Sequence, residues 1–263
     1  MKIAKRILIS FLFLFVTTIQ AQQNTAVIQE RINKVKEKLG DKLLTTADEV
    51  IAKYIEAVGG KEATLSVKTL MYRGRFLSYG INDRTLCRYF KRPNFIKASW
   101  SKENNRYTVS DGDKVWSMTP DGRKEQDAPW AISFSHQRID GNFIDYKNRG
   151  IKYDYLGLEG FESEHAVYYL LRRTFPDGFI EKLYFDVETG FLNSIWKMSE
   201  PWVNRPTYYY DYRKVGNIRL PHVWISVLEN ANPPHVLLIE EVRINKDFGE
   251  NFFNDHLEKP ILK

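Results

Sequence analysis

The feature that most constrains this fold is a long series of short segments in which apolar and polar residues alternate. The series begins near Val67, where Leu70, Tyr72 and Phe76 alternate with polar neighbours, and it ends near Asn245. This period of two is typical of strands, and Gly, Pro, Asn and Asp between segments are turn signals. After the first strand, the predicted strands cover Thr85–Lys91, Phe95–Trp100, Tyr107–Ser110, Val115–Met118, Tyr153–Leu158, Ala166–Arg173, Phe179–Asp186, Leu192–Met198, Thr207–Arg213, His222–Leu228 and Val236–Asn245. Short connections between so many strands predict antiparallel neighbours.

Few helices accompany these strands. An amphipathic pattern at 25–44 predicts one helix, and Thr46 with Glu49 forms the capping box of a second, which the glycines at 59–60 end. A short third helical turn is expected through 62–65. Residues 121–148 interrupt the strands with a polar segment that carries large apolar side chains, and we interpret it as one or two short helices with exposed aromatics.

About twelve strands and three helical segments predict a curved sheet. Strand twist accumulates across a sheet, so a long sheet curls. We expect a mainly β fold with an antiparallel sheet forming an unclosed β-barrel, a half-barrel whose concave face is covered by N-terminal and inserted helices. Such a shape leaves a hollow lined by the inward alternate residues, unless those residues simply pack as a filled core.

The candidate ligand-binding residues are the apolar residues expected on the concave wall and the aromatics of the inserted segment. Arg88 lies among the inward alternates of the second strand, between Leu86 and Phe90. The wall candidates are Leu70, Tyr72, Phe76, Phe90, Trp100, Trp116, Tyr184, Trp196 and Trp224, and the candidates in a mobile lid are Trp130, Phe134 and Phe143.

The N-terminus has the three-part layout of a secretory signal peptide. A basic start with Lys2, Lys5 and Arg6 precedes an apolar run at 7–16, and a small residue, Ala21, marks the expected cleavage site. The run is too short for a membrane-spanning helix, and no cysteine follows it that could carry a lipid anchor. Removing the basic start lowers the formal charge from +6 to about +3, which argues against a nucleic-acid partner.

Chemical motifs are absent from the sequence. The five histidines form no metal-ligand pair, and the sequence contains no nucleophile elbow, dinucleotide-binding loop or phosphate-binding loop. A single cysteine, Cys87, excludes an intramolecular disulfide. We therefore expect no catalytic residues, no metal and no cofactor, although a hydrolase whose polar residues converge only in the fold stays open.

The order of several short motifs resembles the bacterial outer-membrane lipoprotein-sorting proteins, the LolA/LolB-like superfamily of periplasmic lipoprotein carriers. The resemblance covers roughly residues 46 to 255. The motifs are ADEVI at 47–51 with the glycines at 59–60, VKTL at 67–70, KRPN at 91–94, DGDKVW at 111–116, YFDVETG at 184–190, and YDY at 210–212 before GNIRLP at 216–221.

The resemblance implies a periplasmic, non-enzymatic carrier that binds lipid or lipoprotein acyl chains in an apolar cavity, for sorting to the outer membrane. It implies one LolA/LolB-like domain at 46–263, which follows the signal peptide expected at 1–21 and an N-terminal helical extension at 22–45. The expected chain is a monomer that binds a lipid or an acylated lipoprotein, with a possible envelope protein partner and transient contact with a membrane surface. The arginine with which such carriers tether their lid has no assignment from sequence. The alternative is a structural or interaction module with a filled core that docks a partner through Trp202, Tyr208 and Tyr210.

Overall fold

A computed structural model describes residues 25–77, 85–99, 106–161, 165–199, 205–227, 234–249 and 251–261. The signal-peptide prediction lies outside these residues. The helices are α1 at 25–39, α2 (Ala47–Ala57), α3 (Lys61–Ser66) and α4 (Pro129–Ser135), with 3-10 turns at Gly40–Lys42 and Asp255–Glu258. The strands are β1 (Thr69–Leu77), β2 (Thr85–Lys91), β3 (Phe95–Ser99), β4 (Tyr107–Ser110), β5 (Val115–Thr119), β6 (Gly122–Glu125), β7 (Lys152–Gly160), β8 (Val167–Thr174), β9 (Ile180–Asp186), β10 (Leu192–Lys197), β11 (Arg205–Val215), β12 (Ile218–Ser226) and β13 (His235–Ile244).

All 13 strands belong to one antiparallel sheet, in the order β6-β5-β4-β3-β2-β1-β13-β12-β11-β10-β9-β8-β7. Strands β1–β6 run outward from the centre as one meander, and strands β7–β13 return to the centre as a second meander. The first and last strands pair in the middle, where Leu70 lies opposite Ile244. Because β6 and β7 lie at opposite edges, the sheet is not closed. The predicted mainly β, unclosed half-barrel is therefore confirmed.

This topology explains the segment that interrupts the strands. Residues 126–151, here called the covering segment, connect β6 at one edge of the sheet to β7 at the other. The segment packs on the concave face, where Ala131 and Phe134 of α4 join the cluster formed by strands β1–β3. The inserted cover that the sequence predicts is thus a consequence of joining two distant edges of one sheet.

The N-terminal helices cover the other half of the concave face. Thr46 caps α2 as predicted: its side chain accepts a hydrogen bond from the Glu49 backbone, and the Glu49 carboxylate accepts one from the Thr46 backbone at 3.0 Å. Ile32 of α1 and Ile51 of α2 pack in one cluster with residues of β8 and β9. No helix in the described ranges is long and apolar enough to cross a membrane.

The outer face of strands β3–β6 is covered by the C-terminal segment. Lys97 of β3 donates a hydrogen bond through Nζ to the Phe252 carbonyl at 3.0 Å, and the Arg123 backbone N–H donates to the Pro260 carbonyl at 2.8 Å. Both sides of β5 are buried: Val115 packs in the concave cluster, and its neighbour Trp116 packs in a separate cluster on the outer side.

Two details of the sequence analysis need correction. The segment at 121–148, predicted as one or two short helices, begins with a strand, β6. The prediction of large exposed aromatics on this segment is wrong: Phe134 is 8% exposed and Phe143 is 2% exposed. Both rings point into the protein, because the segment lies across the concave face, and Ile132 is the large apolar side chain of α4 that stays exposed.

Candidate functional site

A cavity of about 260 Å³ lies between the concave face of the sheet and the covering segment. Its volume is slightly below the ~300–1,000 Å³ typical of small-molecule sites. Strands of both meanders contribute apolar and aromatic residues to its lining, among them Leu70, Tyr72, Phe90, Ile195, Leu220 and Trp224. Ile139 and Phe143 of the covering segment line the opposite side. The hollow expected from the sequence is therefore present.

Arginine side chains connect the covering segment to the sheet and to the turn between β2 and β3. Arg88 of β2 donates through Nη1 to the Gln137 side-chain oxygen at 3.0 Å, and Arg173 of β8 donates to the Gly141 carbonyl at 2.6 Å. In the opposite direction, Arg138 of the segment donates to the Pro93 carbonyl at 2.9 Å. Arg88, Arg138 and Arg173 all line the cavity.

A buried ion pair stands at one side of the cavity. Arg173 and Glu181 face each other on β8 and β9, with side chains 4% and 8% exposed, and Arg173 Nε lies 2.8 Å from Glu181 Oε2. Arg173 also donates to the Tyr153 hydroxyl at 3.1 Å. Burial alone would lower the pKa of Arg173, but the negative charge of Glu181 and the contact with Tyr153 raise it. Arg173 and Glu181 therefore compensate each other's charge within the protein.

An aromatic group forms the floor of the cavity around Trp224. Its ring lies edge-on to Tyr72 and Tyr209, with centroid distances of 5.2 and 6.0 Å. The Arg88 guanidinium carbon lies 5.3 Å from the Trp224 ring centroid, a cation–π distance. The indole nitrogen donates to the Pro221 carbonyl at 3.2 Å, which fixes the ring. These contacts hold the floor of the cavity in place, and the positively charged guanidinium of Arg88 lies against it.

The tyrosine hydroxyls of the cavity are neutral at physiological pH. Burial raises the pKa of Tyr209 to about 12, and burial also raises the pKa of Tyr54 and Tyr72. These hydroxyls can donate or accept hydrogen bonds, but at these pKa values they do not act as acids or bases near pH 7. Within the described ranges, no cluster of three His, Cys, Asp or Glu side chains is placed to hold a metal ion. The arrangement suits binding.

The structure brings some of the sequence-predicted site residues together and places others elsewhere. Five of them line the cavity: Leu70, Tyr72, Phe90, Phe143 and Trp224. Three more pack in the adjoining cluster of strands β1–β3 and α4: Phe76, Trp130 and Phe134. Trp100 lies outside the described residues. Ligand binding by any of these residues stays a prediction.

Trp116, Tyr184 and Trp196 do not line the cavity, in contrast to the expected inward placement. Trp116 belongs to a separate cluster with Val109, its partner across the β4–β5 ladder. Tyr184 and Trp196 form another cluster, in which Trp196 stacks on Phe161 with a centroid distance of 5.7 Å.

The strand register explains this placement. The neighbours of Tyr184, Leu183 and Phe185, belong to the concave cluster, so Tyr184 itself points to the outer face. Ile195 lines the cavity, so Trp196 likewise points outward. Strands β9 and β10 have apolar residues in both alternating sets, so the sequence pattern did not identify which set faces the cavity.

Several residues that shape the cavity were not predicted from the sequence. Arg173, Glu181 and Tyr209 line it, as does Gln137 of the covering segment. A signal was present in β8 and β9, where an arginine and a glutamate occupy the same alternating set as buried leucines. A polar residue in an apolar set marks either a partnered buried group or a site.

No protein-family model matches the sequence, and no curated protein matches it. Among solved structures, a LolA superfamily protein from Nitrosomonas europaea superposes with a TM-score of 0.55 at 13% identity, over 80% of this chain and 98% of that chain. The chain has a LolA-like fold.

Two further structures have the same LolA-like architecture. A domain from Vibrio parahaemolyticus, named for outer membrane lipoprotein sorting, gives a TM-score of 0.55 at 10% identity over 80% of this chain and 97% of that chain. A DUF1329 family protein from Desulfovibrio piger gives 0.54 at 10% identity over 78% and 95%. The resemblance found in the sequence motifs is therefore confirmed for the fold.

Proposed function

We propose that this protein is a non-enzymatic periplasmic carrier that binds lipid or lipoprotein acyl chains. The observation that carries the proposal is the cavity of about 260 Å³ between the sheet and the covering segment, with an aromatic floor around Trp224. Each methylene group transferred from water into such a space contributes about 0.8 kcal/mol. The apolar and aromatic part of the lining therefore supplies a driving force for binding an acyl chain.

Two further observations support this proposal. The LolA-like fold is shared with a domain named for outer membrane lipoprotein sorting. The basic start and short apolar run at the N-terminus fit export to the periplasm. The residues that line the cavity include no metal-ligand cluster and no hydroxyl with a lowered pKa, which favours binding over catalysis.

The proposal is tested by binding of an uncharged probe, a naphthalene dye with a dodecanoyl chain whose fluorescence rises in apolar surroundings. Ile195→Trp places a larger side chain inside the cavity. Excluding about two methylene groups of the probe costs about 1.6 kcal/mol, so the affinity should fall about fifteenfold. The matched control is Ile225→Trp, because Ile225 neighbours Trp224 on β12 and points to the other face of the sheet. Thermal melts verify that both variants fold.

Absence of probe binding to the wild type, together with native mass spectra that show no lipid after gentle extraction, would contradict the carrier proposal. The second candidate, an interaction module, would then gain support. One observation favours it: Tyr208 and Tyr210 stack on the outer face with a centroid distance of 6.3 Å, and Tyr210 is 37% exposed. Trp202, the third residue of the predicted docking edge, lies outside the described residues.

A further inference from the structure

Arg88 places a positive charge in the wall of the cavity. Its side chain lies on the concave face of β2, and one nitrogen, Nη1, donates to Gln137 at 3.0 Å. A second nitrogen, Nε, is buried and has no hydrogen-bond partner. Among the described residues, no carboxylate forms an ion pair with Arg88.

An arginine in this position stays charged. Burial lowers the pKa of the Arg88 guanidinium, but arginine does not lose its proton in proteins. A buried charge without a counter-charge is costly, and the Trp224 ring at 5.3 Å offsets only part of that cost. An anion that enters the cavity would supply the counter-charge that Arg88 lacks among the described residues.

The other charged residues that line the cavity are mostly basic. Its lining contains four basic residues and one acidic residue: Arg88, Arg138, Arg173, Lys197 and Glu181. The acidic residue, Glu181, already pairs with Arg173. Glu181 therefore does not balance the charge of Arg88, and because Arg88 is buried, its electrostatic attraction to an anion is stronger than in water.

Neutral hydroxyl donors accompany Arg88. Tyr72 and Tyr209 line the cavity and lie close enough to Arg88 to interact with it electrostatically. Arg88 lies directly opposite Tyr72 across the β1–β2 ladder. One guanidinium beside two neutral hydroxyls fits a planar group that carries a single negative charge and two acceptor oxygens. That description matches a carboxylate better than a doubly charged phosphate.

We propose that the cavity binds an amphiphile with a free carboxylate, such as a fatty acid, whose carboxylate pairs with Arg88 while its hydrocarbon chain lies on the aromatic floor. This inference rests on the proposed function, because it assigns the head group of the acyl ligand. It differs from simple acyl binding, since esters and amides of the same chain offer no charge to Arg88.

The experiment compares a dansyl-labelled undecanoic acid with its methyl ester by fluorescence titration of the full-length mature protein. A charge-assisted hydrogen bond contributes about 1.5–3 kcal/mol, so the wild type should bind the acid at least tenfold more tightly than the ester. Arg88→Gln should abolish that preference by weakening binding of the acid alone. The matched control is Arg75→Met, an exposed arginine on β1 that pairs with Glu240. This control should keep the preference.

Competition with unlabelled dodecanoate, dodecyl phosphate and dodecanol identifies the head group, and dodecanoate should displace the labelled acid at the lowest concentration. Equal affinity of the wild type for acid and ester would overturn the inference and leave acyl binding intact. Binding of neither probe would overturn both proposals. Stronger displacement by dodecyl phosphate would refute the carboxylate assignment. If Arg88→Gln does not fold, the inference is tested with Arg88→Lys and with the ratio of the wild-type affinities for the acid and for the ester.

Discussion

Removing one partner of the buried Arg173–Glu181 pair should destabilise the protein strongly. The two side chains are 4% and 8% exposed, so either charge left alone stays in a poorly solvated site. Loss of one member of such a pair typically costs about 3–5 kcal/mol, because an uncompensated buried charge remains. We expect that cost for Arg173→Met and for Glu181→Met. A loss of this size is a large fraction of the ~5–15 kcal/mol by which domains are stable.

The double variant Arg173→Met with Glu181→Met should be more stable than either single variant, because it removes both charges together. Its remaining cost, about 1–3 kcal/mol, comes chiefly from the Gly141 carbonyl, which loses the hydrogen bond that it accepts from Arg173 at 2.6 Å. The neighbouring exposed pair is a matched control. Arg172 and Asp154 are 49% and 47% exposed, so Arg172→Met should cost no more than about 1 kcal/mol.

Urea unfolding at pH 7, monitored by tryptophan fluorescence, measures the free energy of unfolding of all four variants. Equal slopes of free energy against urea show that the variants unfold from comparable native states. If Arg173→Met lowers the free energy of unfolding no more than Arg172→Met does, the Arg173–Glu181 pair is not a buried ion pair. If the double variant costs as much as the two single variants together, the destabilisation does not come from an unpaired charge.

Two further predictions concern backbone strain and pH. Gly59→Ala should lower the melting temperature more than Gly60→Ala: both have positive φ, but a Cβ at Gly59 would lie 2.3 Å from the Asn217 carbonyl oxygen, whereas a Cβ at Gly60 meets no atom within 4 Å. Equal losses would contradict the close approach. Burial lowers the pKa of His136 and outweighs the opposing effect of Asp177. The stability that neutral His136 contributes is complete above its unfolded pKa of ~6.5 and is lost as pH falls through its lower folded pKa. An NMR titration that places this pKa above 6.5 would refute the prediction.

Local features of this protein were readable from the sequence because they depend on neighbouring residues. The capping box of Thr46 and Glu49 needs only a spacing of three residues, and α2 begins there as expected. The strand at Thr85–Lys91 has the predicted bounds, because alternation and flanking turn residues define it locally. The open, curved sheet followed from the number of strands and the scarcity of helices.

The identity of the inward-facing residues depended on the tertiary structure. Alternation divides a strand into two sets but does not state which set faces the cavity, and here both sets are apolar. Tyr184 and Phe185 illustrate this ambiguity: Phe185 packs on the concave side, whereas Tyr184 is buried against Trp196 and Phe161 on the outer side. Burial of both faces removes the polar signal that would otherwise distinguish them.

The contacts that build the cavity depend on residues far apart in the chain. Arg88 meets Gln137 because the covering segment has to cross from β6 at one edge of the sheet to β7 at the other. That crossing exists only because β1 pairs with β13, a contact between the two ends of the sheet region. The sequence therefore determined the elements and the class of fold. The pairing of distant strands decided which side chains share the cavity, because that pairing depends on packing of the whole chain.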